Sequence, residues 1–405
     1  MSQLCVYLPP YSSDYSGVCS SLFDLNGMVV IHDASCCSRN YISFDEPRWF
    51  GNKRSIFCSG LREIDAVLGD DDKFIIKVLT ACESMKPEFI ALLGSPVPMI
   101  IGTDMDGVAR EVEEKTGIPV FGFHTTGFRY YNSGAGAAML KLAAYYSQRS
   151  TQQISCGVNI LGLTTLDFSD NSNAADIRNL FEENDFKVTC NFMIGCSLPD
   201  IQRSAQAEVN VVVAQSGMPL ATFMEKEWGI PYVAATPLGN TGSEAVIRAV
   251  QQVRADRKSL VLHAEDLYDG EVLILGEQLI ANSLRNALAQ SYGVKGVTVG
   301  CLFGMDKTLA QDFDLDIKDE RHIRDLLASG RYSKLVADPL LKVLIKGRNI
   351  AFFSMPHVAV SSKLYWHRYR TFIGAEMEAF LAQIADASKE YLSNDFLEDN
   401  LLNTR

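Results

Sequence analysis

Short apolar runs alternate with stretches of helical spacing along almost all of this chain, and that alternation restricts its fold more than any other feature. The runs lie at Val29–Ile31, Ser55–Cys58, Phe89–Leu93, Val120–Phe123, Val158–Leu163, Val209–Ala214, Tyr232–Ala235, Glu271–Leu275, Val297–Cys301, Lys334–Ala337 and Ile350–Phe353. Between them, Asp71–Met85, Met105–Thr116, Gly134–Gln148, Ala174–Asn184, Pro219–Glu227, Ser243–Arg254, Gln278–Tyr292 and Arg321–Ala328 carry apolar residues at helical intervals. Continuous β-branched runs suit strands buried on both faces, and strands alternating with helices signal βαβ units and parallel sheets. The predicted class is α/β.

An internal echo points to repeated modules. Glu113–Val120 and Glu225–Tyr232 each read as a charged helix end, a glycine cap and a strand entered through Ile-Pro. Gly276 and Gly293 frame a third helix of the same kind. With 405 residues the chain accommodates three Rossmann-like modules, each a small parallel sheet flanked by helices. Polar links near Thr151 and Asp256 set the expected boundaries at 1–151, 152–255 and 256–405, and the polar segment Ser393–Arg405 is expected to fray.

A net charge of −12 argues against nucleic acid or an anionic membrane as the main partner. No apolar run approaches the roughly 18 residues that span a bilayer, and Met1-Ser2-Gln3-Leu4-Cys5-Val6 lacks the character of a signal peptide. The expected location is the cytoplasm. There the reducing poise keeps the ten cysteines as thiols, to serve as core residues, metal ligands or both.

Several cysteines fall near predicted strand ends. Met28-Val29-Val30-Ile31 opens into His32-Asp33-Ala34-Ser35-Cys36-Cys37, Cys58 ends the next run, Cys19 lies upstream and Cys82 precedes a third. Loops at the carboxyl ends of parallel strands are where α/β proteins place ligands. Thiolates gathered there suit a soft metal, above all an iron–sulfur cluster, although no Cys-x-x-Cys pair exists and buried cysteine also serves as a small hydrophobe. No Gly-x-Gly-x-x-Gly follows a strand and no P-loop occurs, so no nucleotide is expected on this chain. No Gly-x-Ser-x-Gly elbow supports a hydrolase. Gly94–Asp104, with two prolines and two glycines after a strand, is either a rigid backbone facing a ligand or a stiff strand-to-helix turn ending in an Asp cap. Met355-Pro356-His357 follows the last run, ahead of an exposed-looking Ser361-Ser362-Lys363 and near Trp366-His367; His357 is either a ligand or a hydrogen-bonded structural residue.

Together these residues resemble the nitrogenase component 1 superfamily. His32–Cys37 is similar to its His-Gly-Pro-x-x-Cys loop, which puts Cys37 at a cluster-ligand position with Cys36 beside it. Ser16-Gly17-Val18-Cys19 resembles the segment of the first ligand cysteine, Ile56–Gly69 the family's Glu-x-Asp-x-Val-Phe-Gly-Gly signature, and Ile100-Ile101-Gly102-Thr103-Asp104 its Ile-Gly-Asp-Asp turn. The departures are specific. Pro96 stands where the third cluster cysteine falls, and Val212-Val213-Ala214-Gln215 lacks the thiol that holds the FeMo cofactor, so nitrogen fixation is not implied.

What the resemblance implies is a reductase-like subunit. Cys19 and Cys37, with Cys36 or Cys58, would bind a simpler [4Fe–4S] cluster shared with a homologous or identical subunit in a dimer or heterotetramer. His357 lies near the position of the cofactor histidine. Electrons would come from an ATP-hydrolysing Fe-protein-type reductase and go to a substrate held between the modules. A non-catalytic scaffold for metallocofactor or tetrapyrrole maturation is the alternative.

Overall fold

The computed structural model describes residues 5–49, 56–169, 171–366 and 368–386. Residues 1–4, Ser55, His367 and the segment 393–405 named above lie outside them.

Fourteen strands form three wholly parallel sheets among the described residues. The first sheet holds β1 (Gly27–Ile31), β2 (Ile56–Cys58), β3 (Phe89–Leu93) and β4 (Val120–Phe123), in the order β2-β1-β3-β4. The second holds β5 (Gly157–Leu163), β6 (Lys187–Met193), β7 (Val209–Val212), β8 (Tyr232–Ala234) and β9 (Leu260–Val261), in the order β6-β5-β7-β8-β9. The third holds β10 (Val272–Gly276), β11 (Val297–Cys301), β12 (Asp314–Asp316), β13 (Lys334–Ala337) and β14 (Ala351–Ser354), in the order β12-β11-β10-β13-β14. The predicted α/β class with three small parallel sheets is what forms. Because β9 pairs with β8 in parallel register, the second sheet extends past the expected link at Asp256.

Three strands, β6, β9 and β12, carry no apolar run that announced them, and each lies at a sheet edge. The helix Asp14–Leu22 was likewise unforeseen, and every one of its residues is buried. It crosses the helix Tyr131–Tyr146 with the two backbones touching. A Cβ on Gly17 would lie 1.9 Å from the Tyr131 carbonyl oxygen, and one on Gly134 would lie 1.9 Å from that of Asp14, so only glycine admits this approach. The repeated Ile-Pro entries behave as read: Gly117 and Gly229 end their helices in the left-handed conformation, at φ 69° and 70°.

Two apolar cores cross the boundaries between sheets. One joins Val29, Phe89 and Phe123 of the first sheet to Leu161, Val212 and Ala234 of the second. The other joins Ile160 and Val211 to Ile274, Val299 and Val336 of the third, closed by Phe380 and Leu381 of the final helix Ala375–Asp386. A strap over residues 5–13 reaches the third sheet's core with Leu8. The N–H groups of Val6, Tyr7 and Leu8 converge on one oxygen of Glu320, at 2.9, 2.9 and 3.0 Å. Ser12 then donates to the Ala359 carbonyl at 2.8 Å.

Candidate functional site

Because the strands of the first sheet run parallel, β1, β2 and β3 end on one side, and the loops there carry thiols. Asp33, buried just past β1, organises them. Its Oδ2 accepts the N–H of Ser35 at 2.9 Å and of Cys37 at 2.8 Å, and its backbone oxygen accepts from the Cys58 thiol at 3.2 Å. His32 stacks on Phe74 with ring centroids 4.0 Å apart and lies 2.8 Å, by Nδ1, from the Ser59 hydroxyl. Burial, aided by the Lys77 charge, lowers its pKa to about 4, so this imidazole is a neutral structural group.

Cys36 is exposed, while Cys37 and Cys58 are half-buried. Cys19 departs from its expected place near a strand end. It lies within the helix Asp14–Leu22, fully buried, one turn beyond Tyr15, and the Tyr15 hydroxyl partners the Cys37 thiol. Cys82, in the helix Asp71–Met85, packs into the core of the first sheet. Pro96 opens the short helix Pro96–Ile101, a position that suits a residue without an N–H.

The donor chemistry tests the cluster assignment. Burial holds the Cys19 thiol well above the ordinary thiol range, and the Glu46 and Asp45 carboxylates push it further. Burial and Asp33 push Cys37 up to about 11. Both thiols are protonated at neutral pH, and metal binding would have to displace those protons. Among the described residues no three His, Cys, Asp or Glu side chains converge as a metal site. Within the described residues of one chain, then, these cysteines do not by themselves converge as a metal site.

The rim of this corner is apolar. Helices Glu63–Leu68 and Pro96–Ile101 touch each other and expose Ile64, Val67, Leu68, Val97, Met99, Ile100 and Ile101, with Val67 at 75% and Ile100 at 72% exposure. Large exposed apolar patches are uncommon on monomeric soluble proteins.

A second polar group forms where the three sheets meet. Asp167, beyond β5, accepts from the Tyr131 hydroxyl and, at 2.7 Å, from that of Thr164. Glu277, beyond β10, accepts the N–H of Gln215 on one carboxylate oxygen and of Ile280 on the other, each at 2.7 Å. Burial and the nearby Asp167 push its pKa up to about 8. His357, beyond β14, accepts the Ala359 N–H on Nδ1 at 3.2 Å, which leaves the proton on Nε2. That atom lies 3.3 Å from Asp167 Oδ1 but outside hydrogen-bonding geometry. Asp338 holds the loop by accepting from the His357 N–H at 2.8 Å and from Ser361 at 2.7 Å. Ser361, read as exposed, is 2% exposed for that reason.

Asp167, Glu277, His357, Met355 and Phe372 line a cavity of about 30 Å³. Such a space holds a water, whereas organic ligands occupy pockets of roughly 300 Å³ or more. At this junction the chain's own side chains leave room for no more than a water. Sequence reasoning named His357 but not Asp167, Glu277 or Tyr131, which the structure places beside it. The signal was Leu275-Gly276-Glu277, a buried strand ending on an acid.

Fold and site together define a class: three-sheet α/β proteins with thiol-bearing loops at the carboxyl end of the first sheet. The chain belongs to the family Nitrogenase component 1 type Oxidoreductase, which matches residues 13–272. It is 23% identical over 377 residues to a subunit of the light-independent protochlorophyllide reductase of Gloeobacter violaceus, covering 82% of this chain and 72% of that one. It is 26% identical over 227 residues to the nitrogenase iron-molybdenum cofactor biosynthesis protein NifE of Clostridium pasteurianum, covering 54% of this chain and about half, 49%, of the relative. The solved structure of nitrogenase Cp1 at pH 6.5 superposes with a TM-score of 0.63 at 15% identity, covering all of this chain and 92% of that one, which establishes the fold. No helix among the described residues is long and apolar enough to cross a membrane.

Proposed function

We propose that this chain is a nitrogenase-like reductase subunit that carries an iron–sulfur cluster, of [4Fe–4S] type, at the corner formed by Cys36, Cys37 and Cys58 above Cys19. The observation that carries this reading is the pairing of that incomplete thiol set with the bare apolar rim around it. A homologous or identical subunit seated on Val67 and Ile100 would cover the rim and bring the missing ligands. The cluster would supply one-electron transfer, with electrons delivered by an ATP-hydrolysing Fe-protein-type reductase in the cytoplasm. This chain's part is to hold the loops through Asp33, to keep His32 neutral and to bury Cys19 away from water.

The test is iron and acid-labile sulfide content, with EPR spectra before and after dithionite, on protein purified without oxygen. About four irons per pair of chains is the loading of one shared cluster. Folded, iron-free protein overturns the reading. The small cavity at His357 favours a second reading, a scaffold for metallocofactor or tetrapyrrole maturation that performs no turnover. Substrate reduction dependent on an Fe-protein and ATP separates the two.

A further inference from the structure

On the second sheet, in the same buried cluster as Cys19, Cys190 and Cys196 face each other with their sulfurs 3.6 Å apart. Both are free thiols, 1% and 5% exposed. We infer that they are a reversible dithiol–disulfide site whose co-reactant is a low-molecular-weight disulfide.

The backbone is shaped for such a closure. Cys190 belongs to β6, an edge strand whose pairing with β5 slips in register beside it, so Asn159 pairs with Cys190 directly after Val158 pairs with Val188. The chain then reverses through two positive-φ residues, Met193 at 91° and Gly195 at 69°, and Asn191 braces the turn by donating to the Ile194 carbonyl at 2.9 Å. The reversal brings Cys196 back onto Cys190. A disulfide bond measures about 2.05 Å, so the sulfurs need to approach by about 1.5 Å.

Access follows from the same turn. Gly195 and Ser197, on either side of Cys196, are exposed, so a small opening of an edge loop uncovers this sulfur. Deprotonated Cys196 attacks one sulfur of the small disulfide, forms a mixed disulfide and expels the first thiolate. Cys190, its thiol pKa held well above the ordinary range by burial, gives its proton to that expelled thiolate as it attacks the Cys196 sulfur, and the second thiolate leaves. The pair loses two electrons and two protons, and the co-reactant leaves as two thiols. The tip of the loop is tied to the cysteine corner: Gly195 donates to Asp24 at 2.8 Å, Asp24 also holds Arg48 at 2.9 Å, and Arg48 binds Glu46, the acid beside Cys19.

The experiment treats the full, reduced chain with oxidised glutathione, alkylates the remaining thiols and digests with trypsin under non-reducing conditions. Both cysteines fall in one peptide, residues 188–203, between Lys187 and the cleavage after Arg203. The expected result is loss of both alkylation sites in that peptide with loss of two hydrogens, reversed by dithiothreitol. Cys190→Ser should stop at a glutathione adduct on Cys196. A peptide still carrying two alkyl groups after the exposed Cys5 and Cys36 have reacted overturns the inference. So do two glutathione adducts on the wild-type peptide, and that measurement requires no variant to fold.

Discussion

The corner that holds Cys36, Cys37 and Cys58 and the polar group around Asp167 and Glu277 lie at comparable places, just past the carboxyl ends of parallel strands, yet they are built oppositely. At the corner the thiols are partly open to solvent, the backbone is held chiefly by Asp33, and the rim is bare hydrocarbon. At the junction of the sheets every acid is buried and partnered, and the remaining space is about 30 Å³. The difference teaches that one strand end is left open within this chain, as the proposed cluster site requires, whereas the other is closed by the chain itself. Position in the fold does not distinguish them; satisfaction of the polar groups does.

Substitutions can break this contrast, and their expected effects on stability descend in order. Asp167→Ala strands the Tyr131 and Thr164 hydroxyls without an acceptor, which should cost about 2–6 kcal/mol in urea unfolding at one to three per orphaned group. A loss under about 1 kcal/mol would mean that the junction is not what ties the sheets together.

Glu277 gives the next effect, through pH. Its carboxyl rises from 4.5 to about 8 in the folded chain, so over that interval the native state binds more proton than the unfolded state. Stability should therefore fall as pH climbs from about 4.5 through about 8, by at most about 1.4 kcal/mol per pH unit. Glu277→Gln should flatten that slope in denaturation curves taken at several pH values. An unchanged slope would place the titration elsewhere.

The corner should respond the other way, with large effects on assembly and small ones on folding. Cys37→Ala is expected to change stability by under about 1 kcal/mol, since the side chain is only half-buried, while removing iron from anaerobically purified protein. Unchanged iron content would refute its assignment as a ligand. Paired Val67→Glu and Ile100→Asp substitutions should leave unfolding within about 0.5 kcal/mol of wild type and abolish association in sedimentation. If association persists, the partner sits on another face.

The sequence was most legible where strands are central. β3, with every residue buried, reads directly as Phe89-Ile90-Ala91-Leu92-Leu93. β6, β9 and β12 escaped because an edge strand meets solvent and needs no continuous apolar run: β12 is Asp314-Leu315-Asp316, and β9 has two residues. The thiol corner was legible because cysteine carries its chemistry in its identity. Cys19 was placed beside a strand because its helix, Asp-Tyr-Ser-Gly-Val-Cys-Ser-Ser-Leu, is buried all round and shows no amphipathic stripe. Asp167 was illegible because it is locally an ordinary helix-start acid, and Glu277 signalled itself only as the acid at the end of a buried strand. What makes them unusual is their convergence from different sheets, which one-dimensional pattern does not encode.

The grip of Glu320 on residues 6–8 has a consequence for how the chain comes into being. The partners are 312 to 314 positions apart, so on the ribosome the strap stays unplaced until Glu320 has left the exit tunnel. At about 5–20 residues per second that wait is roughly 15 to 60 s. The first sheet can be complete long before then, so this strap is fastened by a partner made some three hundred residues later.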